Sequence, residues 1–324
     1  MPKIDAHIHY PGDQADSVSL LERLDLKLIN VCVAHDNQGD WRSQAETYQK
    51  LAEETPERFA WCTSFDLPRF DDPDYVDQVI EGLGQDIAAG AIACKIWKNV
   101  GMEVKKPDGD FLMIDDPLFD PIYEYLTGEN ITLLLHIGEP LACWQPLEDN
   151  NPHYNYYRQH PEWHMYNKPD FPSHQTLIAA RDHMVAKHPQ LRVVGAHLGS
   201  LEYDVAEIAR RLDRYPNFAV DSSARLLDLT YQEPGVVRQF FLDYQDRLLY
   251  GTDIVQRQPV STLSEGERQQ HLAQIEARYQ TDFAYFESEQ AMVIRGRQVQ
   301  GLGLPEGVLE KFYFKNAQAW YPGL

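Results

Sequence analysis

Eight short apolar runs, rich in β-branched residues, alternate along this 324-residue chain with longer segments of helical periodicity. The runs fall at residues 3–9, 28–34, 59–65, 91–97, 131–137, 192–197, 218–221 and 248–252. Most follow one another at about thirty residues, the length of a strand, a crossover helix and two loops. Helical stretches between them include residues 43–56, ended by Pro56, and residues 201–216, ended by Pro216. A third, residues 174–187, follows Ser173 as a cap and stops before Pro189. Repeated βα units build a parallel sheet, and this periodicity alone fits an open doubly wound sheet as well as a closed barrel.

The polar residues that finish the apolar runs decide for closure. Asp5-Ala6-His7-Ile8-His9 places two imidazoles two residues apart, so that both point to one face of a strand and reach one ion. LLLHIG, VVGAHLG and LLYGTD end three further runs with His136, His197 and Asp253. In a (β/α)8 TIM barrel the C-terminal ends of strands one, five, six and eight meet at one mouth, and these five residues become neighbours. Gathering so many polar groups at one place is costly without a shared partner, and a divalent metal supplies it. A closed structural zinc site uses four Cys or His ligands, whereas a mixed set with a carboxylate fits an open catalytic site better than a non-catalytic metal-binding scaffold. Asp5 is a candidate to orient the histidine pair.

The length suits a single α/β barrel domain over residues 1–324, with loop insertions after strands five and eight, at residues 138–173 and 255–304. At 43% hydrophobic and 24% charged residues, such a domain can bury a large core unaided. Fifty acidic against 29 basic residues give a formal charge of −21, which argues against a nucleic-acid partner and for a small-molecule substrate. The N-terminal MPKIDAHIHY lacks a basic segment leading into an apolar one, and no run reaches membrane-spanning length. A cytoplasmic protein without a membrane partner is the expectation, and a homo-oligomer is compatible with the sequence. Cys32, Cys62, Cys94 and Cys143 show no CxxC spacing and read as buried free thiols.

The ordered set HxH, His, His, Asp resembles the amidohydrolase superfamily. GAHLGSLE, DSSAR, YGTD and the closing GLGLPEGVLEKFYFKNAQAWY resemble its amidohydrolase-related group, which includes aminocarboxymuconate semialdehyde decarboxylase-like proteins. The resemblance covers essentially the whole chain. It implies His7, His9, Lys95, His136, His197 and Asp253 as candidate metal ligands, around one or two ions. Zinc suits the His-rich set, and manganese or iron is compatible with the same residue types. Lys95, ending the fourth run in AIACKIW, stands where binuclear relatives carry a carbamylated lysine; the alternative is a lysine paired with a nearby acid.

The resemblance implies either a metal-dependent hydrolase or a non-oxidative decarboxylase. In the first, Asp253 takes a proton from the attacking water and passes it to the leaving group. In the second, His197 handles the proton; it is a second-metal ligand in a binuclear site and free to act as acid or base in a mononuclear one. A serine nucleophile is poorly supported, since no GxSxG occurs. Arg225 in DSSAR is the candidate to bind an anionic substrate group, against the alternative of an ion pair with Asp221 or Asp228. Lys98, Trp144 and Tyr166 are further substrate-binding candidates, Lys98 being out of step with Lys95 by strand alternation.

Overall fold

Each apolar run forms a strand because its β-branched and aliphatic side chains pack on both faces of a sheet covered by helices. In a computed structural model, which describes residues 1–12, 14–35, 40–256 and 262–324, the strands are β1 (Lys3–Ile8), β2 (Leu26–Val31), β3 (Phe59–Thr63), β4 (Ala91–Ile96), β5 (Thr132–Leu135), β6 (Val193–Gly195), β7 (Phe218–Asp221) and β8 (Leu248–Leu249). Each pairs in parallel with the next, in the order β1 to β8. The ring is drawn together at the β8–β1 seam, where Ala6 N–H donates to Tyr250 O at 2.9 Å, Asp253 N–H to His7 O at 2.8 Å and His9 N–H to Ile254 O at 2.9 Å. This is the (β/α)8 barrel, and the open-sheet alternative falls away.

Eight crossover helices follow the strands in turn: α1 (Ala15–Leu24), α2 (Asp40–Glu54), α3 (Tyr75–Ala88), α4 (Asp120–Gly128), α5 (His174–Lys187), α6 (Val205–Arg214), α7 (Pro234–Asp243) and α8 (Glu265–Glu287). Ser173 caps α5 as expected, its hydroxyl accepting from Thr176 N–H at 3.1 Å. The helix expected from residue 201 begins only at Val205, because the Asp204 carboxylate accepts from Ala206 N–H at 2.8 Å and sets the start there. The segment 255–304, read from sequence as a loop insertion, is mostly α8 and a hairpin of Ala291–Ile294 with Arg297–Gln300; residues 257–261 lie outside the described ones. The segment after β5 is an insertion of short helical turns, including Tyr154–Gln159.

Two apolar layers result. The larger lies between strands and helices; the smaller fills the barrel interior with Ile4, Ala6, Ile29, Leu134, Val194 and Leu249. Ala317, Trp320 and Tyr321 join the interior layer, and Thr132, at the start of β5, donates its hydroxyl to Trp320 O. The C-terminal residues therefore plug the end of the barrel where the strands begin. All four cysteines are free and buried, as expected.

Candidate metal centre

The site begins with an irregularity. The β1–β2 register shifts between Asp5 and Ile8. Before the shift, Ile4 and Ala6 face the barrel interior; after it, Ile8 packs in the outer layer and His7 and His9 turn to the mouth. A bulge re-aims side chains in this way. Asp5 consequently points outward, where its carboxylate accepts from Tyr279 of α8 at 2.8 Å.

At the mouth, His9 Nε2 lies 3.3 Å and His7 Nε2 3.8 Å from Asp253 Oδ1. His197 is 4.9 Å from His7 and 4.2 Å from His136, ring centre to ring centre. Lys95 Nζ stands 3.2 Å from His7 Nε2. All six ligand candidates thus enter one neighbourhood. His197 itself adopts φ 58°, Leu198 φ 58°, Ser200 φ 56° and Asp253 φ 56°, a left-handed conformation that residues with a Cβ adopt at a cost of about 1–3 kcal/mol each. The surrounding hydrogen bonds hold them there: His197 N–H donates to Asp221 Oδ1 at 2.9 Å.

The outer nitrogen of three rings is anchored. His7 Nδ1 donates to Asp221 Oδ2 at 2.9 Å, His9 Nδ1 to Val31 O at 2.6 Å, and His197 Nδ1 to Ser223 O at 2.9 Å. Because each acceptor is a carboxylate or carbonyl, the proton sits on Nδ1 and each Nε2 presents its lone pair to the mouth, that of His7 facing Lys95 Nζ at 3.2 Å. His136 Nε2 is buried with no hydrogen-bond partner. Burial lowers the pKa of His7, and lowers His136 and His197 much further, so these rings are neutral. Asp253 is opposite: burial pushes its carboxyl up, but the imidazoles of His9, His197 and His7 around it outweigh this and hold it well below the usual range. Burial pulls Lys95 down to about 8, with Asp221 and Asp253 partly offsetting it. Neutral imidazole nitrogens beside ionised carboxylates, one nitrogen being an orphan, are a donor set that fits a divalent cation. His7, His9 and Asp253 form one such group and His7, His197 and Asp221 another, each with ligand atoms within 4.8 Å. In the second group His7 Nδ1 and the His197 backbone N–H already donate to Asp221, which makes it an orienting acid.

The substrate-binding candidates separate. Arg225 is buried, forms no ion pair within 4.0 Å among the described residues, and leaves its Nε without a partner. Asp221 is engaged by His7 and Asp228 by His153, at 2.9 and 2.8 Å, so the expected alternative pairs are not made. The charges of Asp228, Glu202 and Glu139 nevertheless outweigh burial and keep Arg225 firmly protonated. Lys98 lies beyond the end of β4 at Ile96, so strand alternation does not apply to it; it is buried, paired with Glu139, 3.3 Å from Tyr156 Oη and 3.9 Å from the centre of the Trp163 ring. Trp144 instead donates to Pro172 O at 3.1 Å and packs edge-on against His174. Tyr166, 39% exposed, rests on His164. Sequence reasoning missed Ser223, Glu139 and Glu202, and weighed Asp221 only as an alternative partner of Arg225; the acids at the end of β7 and three residues after His136 were the available signal.

Residues 4–323 match the amidohydrolase family profile. Comparison with curated proteins returns no match. Among solved structures, 2,6-dihydroxybenzoate decarboxylase from Rhizobium is similar at 16% identity and a TM-score of 0.58, over 99% of this chain and 98% of that one. A probable 2-pyrone-4,6-dicarboxylic acid hydrolase from Acinetobacter baumannii, with citric acid bound, aligns at 11% identity and a TM-score of 0.51 over 99% of both chains. A 4-oxalomesaconate hydratase from Rhodopseudomonas palustris gives 12% and 0.51, over 95% of this chain and 80% of that one. At these identities the likeness is one of fold.

Proposed function

Because the chain belongs to the amidohydrolase family, we propose that it is a metal-dependent hydrolase cleaving an amide, ester or lactone-type bond in a small anionic substrate. The observation that carries this reading is the convergence of His7 Nε2, His9 Nε2 and Asp253 Oδ1, with both imidazoles fixed through their outer nitrogens. When bound, a divalent ion, zinc best suiting these donors, supplies Lewis acidity and activates water. Asp253, 24% exposed and so the ligand candidate open to the mouth, accepts the proton of the attacking water and returns it to the leaving group. Arg225, whose guanidinium makes no ion pair among the described residues, binds an anionic group of the substrate. Lys95 has no carboxylate within ion-pair distance among the described residues, its amine lying instead 3.2 Å from His7 Nε2, which favours over the acid-paired alternative a carbamate that would, with His136 and His197, hold a second ion.

One observation favours decarboxylation as the second reading. His136 Nε2 is buried without a hydrogen-bond partner and its ring centre lies 4.2 Å from that of His197, so two neutral histidines able to exchange a proton stand together at the mouth. The experiment uses a panel of lactones, esters, amides and aromatic carboxylates, before and after removal of metal by a chelator. The expected result is hydrolysis that chelation abolishes and zinc restores. Carbon dioxide release from a carboxylate, with no hydrolysis, replaces the first reading by the second; turnover indifferent to chelation overturns both.

A further inference from the structure

The β8–β1 seam carries His7 and Asp253, yet β8 as a strand is only Leu248–Leu249, and the register of β1 breaks at the site. What holds the seam in shape lies behind it. Asp5 is fully buried and accepts four hydrogen bonds: from His7 N–H at 3.2 Å, from Thr252 N–H at 3.0 Å, from Thr252 Oγ1 at 2.5 Å and from Tyr279 Oη at 2.8 Å. One carboxylate thus grips the backbone of one ligand and of the residue preceding another. Thr252 Oγ1 in turn accepts from Ile254 N–H at 3.2 Å and so brackets Asp253 from both sides, which explains how Asp253 is kept at φ 56°. Among the described residues, Tyr279 is the one donor to Asp5 that comes from a helix, 274 positions away in sequence.

We infer that Tyr279 is a positioning residue for the metal site, acting through Asp5 and Thr252 to set the spacing and orientation of His7 and Asp253. The inference rests on the metal reading above. Its chemistry is that of an outer hydrogen bond which orients ligands, whose loss typically lowers metal affinity about 10–100-fold. Tyr279 makes no hydrogen bond or ring contact with either ligand among the described residues, so a variant of its hydroxyl acts on the site through the clamp.

The test is zinc affinity of the metal-free protein, measured by competition with a chromophoric chelator, for the wild type, Tyr279→Phe, Thr252→Val and Tyr250→Phe. Tyr250 is the control: it is equally buried, but its hydroxyl donates to Asp282 at 3.2 Å and not to Asp5. The expected result is an affinity about tenfold lower in Tyr279→Phe, a loss in the same direction in Thr252→Val, and wild-type affinity in Tyr250→Phe, with the two tyrosine variants melting alike without metal. Unchanged affinity in Tyr279→Phe, or an equal loss in Tyr250→Phe, overturns the inference while leaving the metal reading standing. A wild type that binds no zinc overturns the metal reading and the inference with it.

Discussion

The two ends of this barrel are filled by opposite chemistries on the same strands. Where the strands begin, the interior is closed by Ala317, Trp320 and Tyr321 packed on aliphatic side chains. Where they end, it is filled by His7, His9, Lys95, His136, His197 and Asp253, four of them at least nine-tenths buried and none in an apolar layer. Of the nine non-glycine residues at positive φ among the described ones, five stand at the second end, His197, Leu198, Ser200, Ala224 and Asp253, and two at the first, Asp25 and Asn130. The mouth holds most of the left-handed strain and the unpartnered His136 Nε2 and Arg225 Nε, while at the plug Tyr321 Oη is unpartnered within an otherwise apolar layer.

That contrast can be broken by exchanging the expected consequences. Trp320→Ala, at the plug, should cost about 3–5 kcal/mol of stability, read as a lowered melting temperature, while the remaining folded protein binds zinc as tightly as the wild type. Weakened zinc binding by folded Trp320→Ala would show that the ends are not separable.

At the mouth the expected sign is reversed. Arg225→Lys should raise KM about tenfold or more, because an ammonium cannot reproduce the guanidinium fork, and should leave metal content and folding intact. Unchanged kinetics on the substrate found by the panel removes Arg225 from the site.

The smallest effect sharpens the comparison through pH. Burial pushes Glu202 up to about 7, the nearby Arg225 opposing this and Asp228 adding to it. Its folded value is above its ordinary 4.5, so the stability it contributes is complete below that value and is lost as pH rises through 7. Glu202→Gln keeps an oxygen for Leu141 N–H, which now donates to Glu202 at 2.9 Å. This variant should melt with a flatter pH dependence between about 4.5 and 7 and gain relative to wild type at pH 8. An unaltered pH profile contradicts this account of the buried acid.

Most of the barrel was legible because apolar runs alternate with helical segments and several of the runs end on a polar residue, as in LLLHIG and YGTD. The ligand candidates followed from convergence at the mouth. What stayed hidden depended on pairing between distant strands. Strict alternation puts Asp5 on the face of His7 and His9, and only the register shift in β1 turns it outward to Tyr279. Asp221 reads locally as a partner for Arg225, but the closed ring brings His7 to it from 214 residues away. Trp144 and Tyr166 were chosen for aromatic character in a long segment, and local packing on His174 and His164 accounts for their places.

The central claim is that His7, His9 and Asp253 hold a divalent ion, and metal counted per chain tests it most directly. Protein incubated with zinc and freed of excess should carry at least one ion per chain, and His9→Ala and Asp253→Ala should each carry about a tenth as much or less. A wild-type chain that retains no zinc, manganese or iron, or variants that retain as much metal as the wild type, would contradict it.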